Sequence, residues 1–111
     1  MSNNQMNDKT FAWHAVCGVD EVPHMGGRLV RAGTTQIALF RLSNGNIRAI
    51  NNLCPHKQGP LAEGIVSNDR IICPLHARKI DLESGKVLPP DTGCITTYPT
   101  KIEGEKVLIQ I

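Results

Sequence analysis

Cys54-Pro55-His56 and Cys73-Pro74-Leu75-His76 decide the reading of this 111-residue chain. Each packet offers one thiol and one imidazole, and sixteen residues, Lys57 to Ile72, separate the two packets. Thiolate and neutral imidazole are ligands for zinc, iron or iron-sulfur. One tetrahedral zinc would accept Cys54, His56, Cys73 and His76 together, although the usual zinc spacing puts both cysteines in one packet and both histidines in the other. Mixed packets favour a two-iron cluster with one Cys₂ iron and one His₂ iron, each loop giving one ligand to each metal. Pro55 and Pro74 restrict the backbone immediately after each cysteine.

Outward from the packets, the flanking sequence reads as strands and turns. Asp69 to Cys73 and Arg78 to Leu82 are expected as short strands, which puts the second packet at the tip of a hairpin. A short helical turn is expected around Pro60 to Gly64. Thr34 to Leu42, the turn Ser43-Asn44-Gly45-Asn46, and Ile47 to Ile50 form the clearest hairpin, because the turn residues supply φ > 0 positions. Glu83 to Lys86 reads as a turn into Val87-Leu88. Leu88 to Gly93, with Pro89, Pro90 and Gly93, reads as a loop.

Towards the ends, Phe11 to Val19 is expected as the first strand and Leu29 to Arg31 as another. Thr97 to Ile102 alternates, with Tyr98, Thr100 and Ile102 on one face, and Val107, Ile109 and Ile111 share a face after the Glu103-Gly104-Glu105 turn. Pro99 suits only an edge strand. No apolar stripe of helical period is sustained, and turn signals recur roughly every eight to twelve residues, so the fold class is all-β with antiparallel sheets.

The length suits one domain, 11–111, behind a polar, Asn-rich segment 1–10 expected to be a flexible tail. That segment lacks the apolar core of a signal peptide, and no run of about twenty apolar residues occurs, so a cytoplasmic protein is expected. The formal net charge of +2 is spread without a basic run. This argues against nucleic-acid or membrane partners. In a reducing compartment the four cysteines are expected as ligands or buried thiols.

Cys17 and Cys94 are read as small buried hydrophobes and Trp13 as a core aromatic. His14 and His24 have no ligand partner at metal spacing and are expected to play ordinary roles. Lys57 and Gln58 are expected as solvated surface residues. Gly59, Gly64 and Gly93 are expected where φ is positive or where backbone approaches the metal site closely.

The pattern C-x-H, sixteen residues, C-x-x-H, with prolines after both cysteines, resembles the Rieske [2Fe-2S] domain. Longer matches sharpen the likeness: C-P-H-K-Q-G-P-L-A-E-G-I-V at Cys54 to Val66, C-P-L-H followed by K-I-D-L-E-S-G, and P-D-T-G-C ahead of T-Y-P. These are similar to the small subunit of NADH-dependent assimilatory nitrite reductase, from about Trp13 to the C-terminus. The resemblance implies a Rieske fold of antiparallel sheets with an inserted cluster-binding subdomain at about 52–82. It implies one Rieske-type [2Fe-2S] cluster, with Cys54 and Cys73 on the inner iron and His56 and His76 on the outer one. It also implies an electron-transfer subunit, an oxidoreductase component with no substrate site of its own, partnered by a large flavin and sirohaem nitrite reductase subunit. The alternative is a Rieske-type ferredoxin that feeds an aromatic-ring dioxygenase or another oxygenase component.

In the same family, respiratory members place bridging cysteines where this chain has Gly59 and Leu75, and hydroxyl donors to the cluster where it has Arg78 and Ile80. Fewer hydrogen bonds to the sulfurs disfavour the reduced, more negative cluster, so a potential of about −150 mV is expected. The loop Pro89 to Gly93 resembles the proline-rich loop that covers the cluster's third side.

Overall fold

Ten strands, all paired antiparallel, carry the described residues of the computed structural model, which are 12–54, 59–75 and 77–111. In chain order they are β1 (Trp13–Gly18), β2 (Gly27–Ala32), β3 (Thr35–Arg41), β4 (Ile47–Asn51), β5 (Ile65–Ser67), β6 (Arg70–Ile72), β7 (Lys79–Asp81), β8 (Thr97–Tyr98), β9 (Thr100–Glu103) and β10 (Lys106–Gln110). They form three sheets with the orders β2-β3-β4-β8, β9-β10-β1 and β5-β6-β7. The all-β architecture of antiparallel sheets expected from the sequence is the one observed. The expected tail 1–10 lies outside the described residues.

β3 is the central strand, and its unbroken apolar run explains why. Ile37, Ala38, Leu39 and Phe40 are all fully buried. Side chains alternate across a strand, so Ile37 and Leu39 enter one core with Val22, Ile47, Ala49, Val107 and Ile109. Ala38 and Phe40 enter the other with Ile50, Leu61, Ile71, Ile80 and both packet cysteines. One strand thus serves two interiors, and each fully buried Ile, Leu or Phe contributes roughly 1.5–3 kcal/mol of transfer free energy.

The β5-β6-β7 sheet follows the same period. Val66, Ile71 and Ile80 point inward, while Ile65, Arg70 and Lys79 are exposed. Its attachment to the first sheet is partly ionic. Arg48 of β4 donates twice to Asp69 in the β5–β6 turn, from Nε to Oδ1 at 3.0 Å and from Nη2 to Oδ2 at 2.8 Å.

The chain changes sheets at Pro99. Tyr98 pairs with Ala49 of β4, whereas Thr100 pairs with Ile109 of β10. The proline thus sits between two ladders. Val107 and Ile109 are buried on a common face as expected, and Ile102, opposite Val107, lies on an uncovered edge and is 45% exposed.

Two expectations fail here. Trp13 is 37% exposed, not core, because the interior around Ile37 and Leu39 takes in β1 only from Val16 and Cys17 onward. Its ring instead lies under the Lys101 ammonium, Nζ standing 4.4 Å from the centroid. Cys94 is also exposed, although its neighbours are tied down by Ile95 N–H on the Gly85 carbonyl at 2.8 Å and by Asn51 N–H on the Thr96 carbonyl at 3.0 Å. Cys17 is half-buried, and burial, followed by the Glu21 carboxylate, pushes its thiol pKa up. His14 and His24 are exposed.

Candidate metal centre

Cys54, the described residue of the first packet, follows β4 at a neck closed by protein groups. The Cys54 N–H donates to the Gly59 carbonyl at 2.9 Å, and Leu53 bridges Pro60. Behind the neck stands Asn52, the buried polar residue of this interior at 2% exposure. Its Oδ1 accepts the Ala62 N–H at 2.8 Å, and its carbonyl accepts the Leu61 N–H at 2.7 Å. In the other direction, its backbone N–H and Nδ2 reach the carbonyl and Oε1 of Gln36 at 2.9 and 3.1 Å. One side chain therefore ties both ends of the loop to the central sheet. A buried amide with all these groups paired fixes a geometry that an unpaired one would disrupt.

The second packet is the tip of the β6–β7 hairpin, as expected. The Cys73 N–H donates to the Arg78 carbonyl at 2.8 Å, and the Ala77 N–H donates to the Cys73 carbonyl at 3.0 Å. Ala77 takes a positive φ of 56° to close the turn. Pro74 and Leu75 point outward, Leu75 being 52% exposed.

The two loops meet at Gly59. A Cβ there would lie 2.9 Å from Cys73 Sγ and 3.0 Å from Leu75 Cγ, closer than real contacts allow. Gly64 likewise lies so near the Ile72 carbonyl oxygen that a side chain would collide with it. Gly59 is thus required by close approach to Cys73, while Gly64, whose φ is −80°, is held by its approach to strand β6 rather than by a positive φ; Gly93 has a φ of 131°.

Cys54 and Cys73 are 1% and 2% exposed and belong to one apolar cluster with Leu61, Val66, Ile71, Ile80, Leu82 and Val87. His56 and His76, with Pro55, Lys57 and Gln58, lie outside the described residues. Two buried thiols from facing loops, shielded by apolar side chains, are a donor set that suits soft thiophilic iron. The residues present therefore fit an iron-sulfur group.

A further loop, after Val87, runs beside the second packet's hairpin. Its neck is closed by the Val87 N–H on the Gly93 carbonyl at 2.9 Å, and Leu88 N–H fastens it to the Lys79 carbonyl of β7 at 2.8 Å. Near its tip, Asp91 Oδ1 lies 3.5 Å from Arg78 Nη2. The turn after β7 is set by Asp81, whose Oδ2 accepts the Ser84 N–H at 2.8 Å. Bonds from Ser84 hold that carboxyl below its usual range. Asn52 and the Arg78–Asp91 pair escaped the sequence reading, since an Asn before a loop signals a turn and ion pairs between distant loops leave no local pattern.

Comparison with known proteins agrees with this geometry. The family model of the Rieske [2Fe-2S] domain matches residues 12–99. The 3-phenylpropionate/cinnamic acid dioxygenase ferredoxin subunit of Escherichia coli K12 is 39% identical over 98 residues, 86% of this chain and 90% of its own. The ferredoxin component of the naphthalene 1,2-dioxygenase system of Pseudomonas aeruginosa is 34% identical over 103 residues, 92% of this chain and 98% of its own. Among solved structures, a candidate small subunit of NADH-dependent nitrite reductase from Mycobacterium tuberculosis superposes with a TM-score of 0.83 at 22% identity, covering 91% of this chain and 96% of its own. That last likeness is one of fold.

Proposed function

This chain belongs to the Rieske [2Fe-2S] domain family, an oxidoreductase electron carrier with one such cluster, and from that premise we propose that it is a Rieske-type ferredoxin delivering electrons to an oxygenase component. The observation that carries this reading is the similarity at 34–39% identity to dioxygenase ferredoxins across nearly the full length of both chains. Cys54 and Cys73 would hold the inner iron, and His56 and His76 the outer one, within a cluster-binding unit of about residues 52–82. When bound, the cluster supplies reversible one-electron transfer.

The chain's own residues give that group its setting. The two buried thiols are kept from water by Leu61, Ile71, Ile80 and Val87. Gly59 lets the first loop press against Cys73. Ile80, fully buried, and Arg78 carry no hydroxyl that could donate to a cluster sulfur. A midpoint of about −150 mV is therefore expected, and a clearly positive value in a redox titration would remove the argument. The proposed setting is the cytoplasm, where reduced thiols persist.

A second reading, the small subunit of NADH-dependent nitrite reductase, rests on the residue matches around Cys54 to Val66 and on the shared fold. Stopped-flow mixing of the dithionite-reduced protein separates the two. Rapid reoxidation by an oxygenase terminal component is expected. Reoxidation only by a large flavin and sirohaem subunit reducing nitrite to ammonium would transfer the assignment to the second reading.

A further inference from the structure

Arg78 stands across the hairpin from Cys73, its carbonyl holding the Cys73 N–H at 2.8 Å. Its backbone is therefore held beside Cys73, while its guanidinium lies 3.5 Å from Asp91 on the proline loop. The loop is already fastened at its base, through Leu88 to Lys79 and Val87 to Gly93. The contact at Asp91 adds a tie near the far end. Arg78 and Asp91 side chains are 23% and 36% exposed, so both charges are partly withdrawn from water and felt more strongly than surface charges.

We propose that Arg78 and Asp91 act as a paired positioning device, holding the proline loop against the second packet and placing there two opposed charges that tune the cluster's potential. Reduction adds one negative charge at the site. A cation nearby favours that state and a carboxylate disfavours it, while net charge and solvent exposure are among the quantities that set iron-sulfur potentials. The ion pair sets both, since each partner cancels much of the other's field and together they limit water entry beside Cys73. The argument rests on the cluster lying at the two packets.

The test uses the reconstituted, cluster-loaded protein, and the parent's visible spectrum first establishes that a cluster is present, independently of this pair. Arg78→Gln, Asp91→Asn, their double variant and the reversed pair Arg78→Asp with Asp91→Arg are then compared by redox titration and by the rate of bleaching in chelator. The midpoint should fall in Arg78→Gln, rise in Asp91→Asn, and lie between these in the double variant. Bleaching should quicken by about two- to fivefold in each single variant, as loss of a partly exposed ion pair implies. The reversed pair should regain the parent's slow bleaching without regaining its potential. Arg78→Lys, which keeps the charge, should keep the potential and carries the measurement if Arg78→Gln takes up no cluster. Single variants that shift the midpoint in the same direction, or leave midpoint and bleaching unchanged, would overturn the proposal.

Discussion

Gly59→Ala is the substitution that asks most of the metal centre. The added methyl would stand 2.9 Å from Cys73 Sγ, 3.0 Å from Leu75 Cγ and 3.2 Å from Leu75 Cδ1. Leu75 is 52% exposed and can turn into solvent, whereas the Cys73 thiol, 2% exposed and packed in the core, has no such exit. The displacement therefore falls on a proposed ligand. Overpacking of this kind costs typically about 1–3 kcal/mol. At about 1.36 kcal/mol per tenfold change, that corresponds to a roughly 5- to 160-fold weaker hold on the cluster if the strain acts at Cys73. Iron and acid-labile sulfide per chain after reconstitution, together with bleaching in chelator, give the readout. Gly33→Asn is the control, because Gly33 has a φ of 63° and a Cβ there would meet nothing within 4 Å, and Asn tolerates that backbone. Full cluster content and parental bleaching in Gly59→Ala would refute the reasoning.

Three further outcomes follow from the same packing. Asn52→Ala leaves the Ala62 N–H and Gln36 Oε1 without their buried partner and should lower urea stability by about 1–3 kcal/mol, with cluster loss at lower denaturant than in the parent; an unchanged midpoint would deny Asn52 its role. Arg48→Met removes a bidentate but about one-third exposed pair, so the loss should be near 1 kcal/mol and should shrink in high salt. In the cluster-loaded protein, exposed Cys94 should be alkylated before half-buried Cys17. Because burial raises the Cys17 pKa, the reactive thiolate forms late, and its alkylation rate should keep climbing above about pH 8.5, where an ordinary thiol levels off. Equal rates followed by mass spectrometry would contradict this. The same shift stabilises the folded state below the unfolded thiol's pKa, and that contribution is lost as pH rises through the folded one.

Much of the fold was legible because strands announce themselves through period and punctuation. The apolar run Ile37 to Phe40 and the Ser43 to Asn46 turn specified β3 and β4, and the alternation of Val107 and Ile109 specified β10. The family was legible because ligand chemistry restricts residue type and spacing together. What failed depended on coverage rather than on local pattern: Trp13 and Cys94 have buried-type side chains, but no neighbouring sheet reaches them. The motif around Cys54 leaned towards a nitrite reductase small subunit, while the whole-length similarity lies with dioxygenase ferredoxins. The partner is chosen by surface residues, which the ligand motif hardly constrains.

Asn52 and the neck at Cys54 and Gly59 bear on the order of assembly. The carbonyls and amides that shape the first loop are paired with other protein groups, and the apolar cluster around the thiols is continuous through Phe40 and Ile50 to the central strand. These described pairings involve no metal, so the neck is expected to form in the metal-free chain, which amide exchange of that chain would check. Cluster insertion would then be a docking problem at the exposed hairpin tip, where Leu75 is half open to solvent, and a chain stripped of its metal is expected to take up a new cluster without passing through denaturant.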